Sequence, residues 1–160
     1  MSKAFTKEDA QPEEQPPKPL RSVLPPGAQN YLTADGAQRL RAELDALLER
    51  ARPDERTQEL KRILDSAVVV GPPSEDFDVV RFGATVSVRS VSDGEIVRYR
   101  IVGVDETDVA RRWISWISPI AKALLLATVG DHVRAALPSG VRELEIVEVT
   151  YEAGDGGSGP

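Results

Sequence analysis

The chain has no cysteine, a single histidine and few aromatic residues: 5% of 160 positions. Without cysteine there is no disulfide framework, no thiol catalysis and no zinc site built on thiolates. His132 is the only imidazole, so no His–His metal pair can form, and it reads as an ordinary strand residue. No metal or cofactor is expected. No apolar run approaches the roughly 18–20 residues of a membrane span, and "MSKAFTKEDAQPEEQPPKP" has no apolar core of a secretory signal. A cytoplasmic protein without a membrane partner is expected. The formal net charge of −6 gives no bulk attraction to nucleic acid or anionic lipid. Nothing supplies the basic stripe that direct DNA binding needs.

What is present divides along the chain. Residues 1–30 hold six of the twelve prolines and too little apolar surface to offset chain entropy, which predicts a disordered lead. "YLTADGAQRLRAELDALLERAR", residues 31–52, predicts a helix capped by Thr33, with Ala37, Leu40, Leu44, Leu47 and Ala51 along a narrow seam. Pro53 suits the first position of a second helix, with Asp54 and Glu55 at its positive end. Leu60, Ile63, Leu64 and Ala67 share one side of that helix. The expected antiparallel hairpin, residues 31–70, has arms of roughly 28 and 20 Å from the helical rise. Gly71-Pro72-Pro73 opens a linker, 71–78.

From 79 to 152 the pattern becomes strand-like, and 153–160 is a Gly-rich tail. Val86 and Val88 alternate, Ser92-Asp93-Gly94 forms a turn, and Val97, Tyr99 and Ile101 share a face. Then come "RWISWIS", a short helix over 119–126, "DHVRAALP", a Pro138-Ser139-Gly140 turn and "VRELEIVEVTYE". Five strands and one short helix predict an α+β fold. "RWISWIS" is apolar on both faces, Trp113 and Ile117 on one and Ile114 and Trp116 on the other. Ser118 suits a helix cap and Pro119 a first turn. The helix then offers Ile120, Ala121, Ala123, Leu124, Leu125 and Leu126 against one charge, Lys122. That is more apolar surface than one buried stripe uses. Either the chain itself or a partner covers the excess.

These segments resemble a known family. Phe82-Gly83-Ala84, Arg100-Ile101-Val102-Gly103 with Asp105-Glu106, Ile114-Ser115, Ser118-Pro119-Ile120-Ala121, Val129-Gly130-Asp131 and Pro138-Ser139-Gly140 follow, in order, the pattern of the C-terminal domain of the bacterial transcript cleavage factors GreA and GreB. "YLTADGAQRLRAELDALLERARP" and the lead "MSKAFTKED" are similar to GreB. The resemblance implies an FKBP-like antiparallel β-sheet domain without isomerase activity, preceded by a coiled coil. It implies docking at the rim of the secondary channel of RNA polymerase. In the family a long coil carries an acidic tip, with a Glu-Asn motif, that holds a second Mg²⁺ in the polymerase active site. Hard Mg²⁺ takes oxygen ligands, and the chemistry is two-metal phosphodiester hydrolysis.

The sequence departs from that pattern at the tip. Its only asparagine is Asn30, ahead of the first helix, so the Glu-Asn motif is absent and the coil is shortened. Asp54 and Glu55 are the weak acidic-tip candidates; Arg50, Arg52 and Arg56 flank them and counter a cation site. The expectation is a monomeric, polymerase-binding regulator of transcription elongation that is no enzyme itself, has no catalytic residues, stimulates no cleavage and has no direct sequence-specific contact with nucleic acid. Its contacts are expected from Trp116, Ser118, Pro119, Ile120, Ala121, Leu124 and Leu125, with Leu124 or Leu125 partly given to the core. Ile117 stands where the relatives carry a polar residue before Ser-Pro. The competing expectations are an active cleavage factor, and a docking module for another protein whose hairpin folds back over Trp113–Leu125.

Overall fold

Each of the two apolar patterns builds its own core. The computed structural model describes residues 24–50 and 54–152. The expected disorder of residues 1–23 and 153–160, and the roles given to Ala51, Arg52 and Pro53, lie outside the described residues.

Leu32, Ala37, Leu40 and Leu60 form the first core, flanked by Leu44, Leu47, Ile63, Leu64 and Ala67. They join α1 (Ala34–Leu48) to α2 (Glu55–Ser66). Thr33 caps α1, its hydroxyl accepting from the Gly36 amide at 3.1 Å. The second helix begins later than the proline suggested. Asp54 is its cap, accepting from the amide and the hydroxyl of Thr57, both at 2.9 Å, so the helical residues start at Glu55. The described arms are about 22 and 18 Å long at the helical rise. Arg56 bridges them, donating to the two Glu43 oxygens at 2.7 and 3.0 Å.

Two short strands, not expected from the sequence, bracket the hairpin. Strand β1 (Asn30–Thr33) pairs in parallel with β2 (Ala67–Val70), Tyr31 opposite Val68 and Leu32 opposite Val69. The cap explains one end, because a capping residue takes extended backbone. The β-branched run Val68-Val69-Val70 explains the other.

The second core is the underside of a five-stranded sheet. Its strands are β3 (Ala84–Ser90), β4 (Ile96–Val102), β5 (Trp113–Ser115), β6 (His132–Leu137) and β7 (Gly140–Tyr151), in the spatial order β5-β4-β3-β7-β6. All pairs are antiparallel except β4 with β5. Helix α3 (Pro119–Leu124) lies on one face, and Val86, Val88, Ile101, Ala121, Leu124, Ala135 and Ile146 pack between them. The fold is α+β: a helical hairpin, then a mainly antiparallel sheet with one short helix. "RWISWIS" yields only three strand residues. After Ser115 the chain turns, Trp116 donating back to the Val102 carbonyl at 3.0 Å, so the two-faced strand inferred for Trp116 and Ile117 does not exist.

Leu124 has no exposed surface, whereas Leu48 is 47% exposed. Urea denaturation is expected to show Leu124→Ala losing about 2–5 kcal/mol, and Leu48→Ala less than about 0.5 kcal/mol.

Candidate functional site

The corner at Ser118-Pro119 is built as its residue types require. The Ser118 hydroxyl accepts from the Ala121 amide at 3.3 Å, and Pro119 occupies the first turn, where its missing donor costs nothing. From there the seven expected contact residues separate. Ala121 and Leu124 are fully buried in the sheet core and present nothing to a partner, which corrects their assignment: their positions three apart place both on the inward face of α3. Ile120 and Leu125 are half-buried against that same core. Trp116 is half-buried too, its indole edge-on to Tyr31 with centroids 5.2 Å apart. Pro119 stays exposed.

The most exposed leucine at the corner is one outside that set. Leu126 is 78% exposed and sits in left-handed backbone with φ of 70°. Three consecutive leucines after an inward Ala121 carried the signal, since one helical face cannot bury all of them. Val129, also exposed, follows in the next turn.

A second constellation, not foreseen from the sequence, ties the hairpin to the sheet. The Glu106 side chain is 1% exposed. One of its oxygens accepts from the amides of Thr33 and Gly103 at 3.0 and 2.8 Å, and the other from the Thr33 hydroxyl. Beside it, Arg100 donates to both oxygens of Asp35 at 2.9 and 2.6 Å. That guanidinium holds the Asp35 carboxyl down at about 2, against a burial effect that pushes upward. Tyr31 packs between Phe82 and Trp116. Both glycines at the joint are there for room. A Cβ on Gly103 would lie 2.0 Å from the Tyr31 carbonyl oxygen, and one on Gly36 1.7 Å from a Glu106 oxygen.

The hairpin therefore meets the sheet through β1 and the first turns of α1, where the Arg39 guanidinium lies 4.7 Å from the Trp113 ring centre. Its apolar seam is filled by its own two helices, not spread over Trp113–Leu125. At the far end Asp54 is engaged in capping, and hydrogen bonds from Thr57 lower its pKa. Glu55 is exposed. Among the described residues no group of three metal-ligating side chains converges, and no helix is long and apolar enough to cross a membrane.

Comparison with known proteins gives this geometry its context. The family model for "Transcription elongation factor, GreA/GreB, C-term" matches residues 74–151. Transcription elongation factor GreB of Xanthomonas axonopodis pv. citri is 36% identical over 151 residues, covering 75% of this chain and 90% of that protein. The chain belongs to the GreA/GreB family. GreA of Nautilia profundicola is 42% identical over 99 residues, 62% of this chain and 61% of that one. A solved GreA/GreB factor from Nitrosomonas europaea is 32% identical with a TM-score of 0.44, covering 77% of this chain and all of that one.

Family membership corrects one expectation. The missing Glu-Asn tip had suggested a protein with no enzymatic role. The relatives at 36–42% identity are GreB and GreA factors, the transcript cleavage factors of the resemblance, and they point to a cleavage-stimulating activity instead.

The joint makes two predictions. The Asp35 carboxyl has a folded pKa below its ordinary 3.8, so its stabilisation is present above about pH 4 and is lost as pH falls towards 2. Denaturation midpoints between pH 6 and 2.5 are expected to fall more steeply for the native protein than for Asp35→Asn. Gly103→Ala is expected to cost about 1–3 kcal/mol or more in urea unfolding, because the obstacle is backbone rather than a movable side chain.

Proposed function

We propose that this Gre-family factor is a cytoplasmic regulator of transcription elongation that binds RNA polymerase at the rim of its secondary channel. The sheet domain, residues 79–152, docks, and the hairpin, residues 31–70, points into the channel. The docking face is the Ser118-Pro119 corner. Ser118 sets the turn, and Pro119, Leu126 and the open edges of Ile120 and Leu125 supply apolar area. The observation that carries this reading is the apolar surface left uncovered at the corner after Ala121 and Leu124 have gone to the core. Area of that kind dominates interface energetics once desolvated. Ile117, in place of the polar residue of the relatives, alters the rim contact beside it.

Cleavage stimulation in this protein is weaker than in a factor with the full tip. The match to the Xanthomonas protein runs over 151 residues yet takes in 75% of this chain, about 120 of its 160 residues, a shortfall that fits a shortened coil. Asp54 is bound up in its cap, which leaves Glu55 as the acid free to approach a metal held by the polymerase.

Leu126→Asp is the cleanest probe of docking, since the side chain is exposed and aspartate tolerates left-handed backbone. Retention of core polymerase by immobilised protein is expected to weaken about tenfold with no loss of thermal stability; unchanged retention contradicts the docking face. With backtracked complexes and Mg²⁺, transcript shortening is expected above the factor-free rate, below that of GreB, and reduced by Glu55→Gln. A rate equal to that of GreB and indifferent to Glu55→Gln contradicts the weakened tip.

A further inference from the structure

The sheet face opposite α3 carries a basic groove that neither the docking corner nor the hairpin tip uses. Thr85 pairs with Arg100, and Arg100 with Trp113. These three residues therefore stand in a row across β3, β4 and the edge strand β5. They floor a groove of about 540 Å³ whose walls include Arg98, Arg111 and Arg112, with Glu152 at its rim. A second hollow of about 620 Å³ adjoins it on the hairpin side, sharing Arg100, Arg111, Trp113 and Glu152 and adding Arg39 and Asp35. In a protein of net charge −6 this is a local reversal of sign.

Three features give the groove a built character. The guanidinium carbons of Arg39, Arg100 and Arg111 lie 4.7, 4.9 and 5.0 Å from the Trp113 ring centre. A guanidinium stacked on an indole is held in place; here Arg100 also pairs with Asp35 and Glu152, Arg39 with Asp35 and Glu106, and Arg111 with Asp108. Arg98 and Arg112 line the groove without an ion pair among the described residues. On the floor, the Thr85 hydroxyl and the Arg100 Nε–H are buried with no hydrogen-bond partner, in residues only 9% and 4% exposed. Buried polar atoms left unpaired are costly and call for a partner.

We propose that this groove binds a compact polyphosphate anion. Arginine forks match phosphate oxygens two at a time, and the unpaired Thr85 hydroxyl and Arg100 Nε–H belong to residues that line the groove. The occupant is compact for two reasons. The Trp113 faces are taken by guanidinium groups, leaving no platform for the base stacking that holds single-stranded nucleic acid. The negative charge of the rest of the surface disfavours a long polyanion. Glu152, which lies 3.5 Å from Arg100, is a carboxylate that competes with the ligand for the same guanidinium. Arg100 also holds Asp35, so an occupied groove adds an anion to a group that belongs to the joint.

Calorimetric titration of the full chain with inorganic triphosphate and with ATP, at low and physiological salt, tests this. Saturable binding at one site is expected, weakened about tenfold or more in the Arg98→Ala/Arg112→Ala double variant and tightened several-fold in Glu152→Gln. Thermal melts check that both variants remain folded, as exposed side chains at these positions allow. Equal affinity for the two ligands assigns the site to a free polyphosphate chain; tighter binding of ATP assigns it to a nucleotide. No saturable binding overturns the proposal, as does binding indifferent to the double variant. A short single-stranded RNA that binds more tightly than triphosphate and is lost in the same variant overturns the compact-ligand assignment.

Discussion

The structure turns on one buried carboxylate. Glu106 accepts from three donors, the Thr33 amide, the Thr33 hydroxyl and the Gly103 amide, and so connects the start of the first helix to the turn after β4. A charge with almost no exposed surface is tolerated only when its oxygens are satisfied. These donors come from both halves of the chain, so neither half satisfies Glu106 alone. Thr33 is at once the cap of α1, a β1 residue and a Glu106 donor, and this links helix initiation to attachment of the hairpin. Breaking such a site strands a charge, a heavier loss than a missing surface contact.

The residues by which the family is recognised take on physical roles in this light. In Arg100-Ile101-Val102-Gly103, the arginine holds Asp35, the isoleucine and valine are buried, and the glycine leaves room for the Tyr31 carbonyl. Glu106 follows as the shared acceptor. The motif is thus as much a socket for the hairpin as part of a sheet. On the proposed reading, a docking corner at one place and a tip at another work together only if the angle between them is held, and this cluster is what holds it.

The elements were legible where periodicity carries them. The alternation around Val86 and Val97 marks the strands, and the three-four spacing of Leu40, Leu44, Leu60 and Ile63 marks the hairpin. Less legible were features set by contacts distant in sequence. Nothing local to Glu106 says that two of its three donors lie 73 positions away at Thr33. The pairing of Asn30–Thr33 with Ala67–Val70 likewise depends on the hairpin bringing its ends together. At the corner, composition showed a surplus of apolar side chains, but only the turn after Ser115 and the orientation of α3 decide which are spare. That is why Ala121 and Leu124 went to the core while Leu126 stayed outside. The tip was legible by absence, through the single asparagine, yet this says what motif is missing rather than what the protein does.

The most direct test of the central claim maps both ends of the molecule on the polymerase at once. A photocrosslinking amino acid is placed at Lys122 on the exposed side of α3, and in a second variant at Glu55 at the hairpin tip. Each protein is bound to core polymerase and the crosslinked peptides are identified. The account predicts that position 122 reaches the rim of the secondary channel and position 55 its interior. Crosslinks from position 122 away from the rim, or from position 55 only to the outer surface, would contradict it.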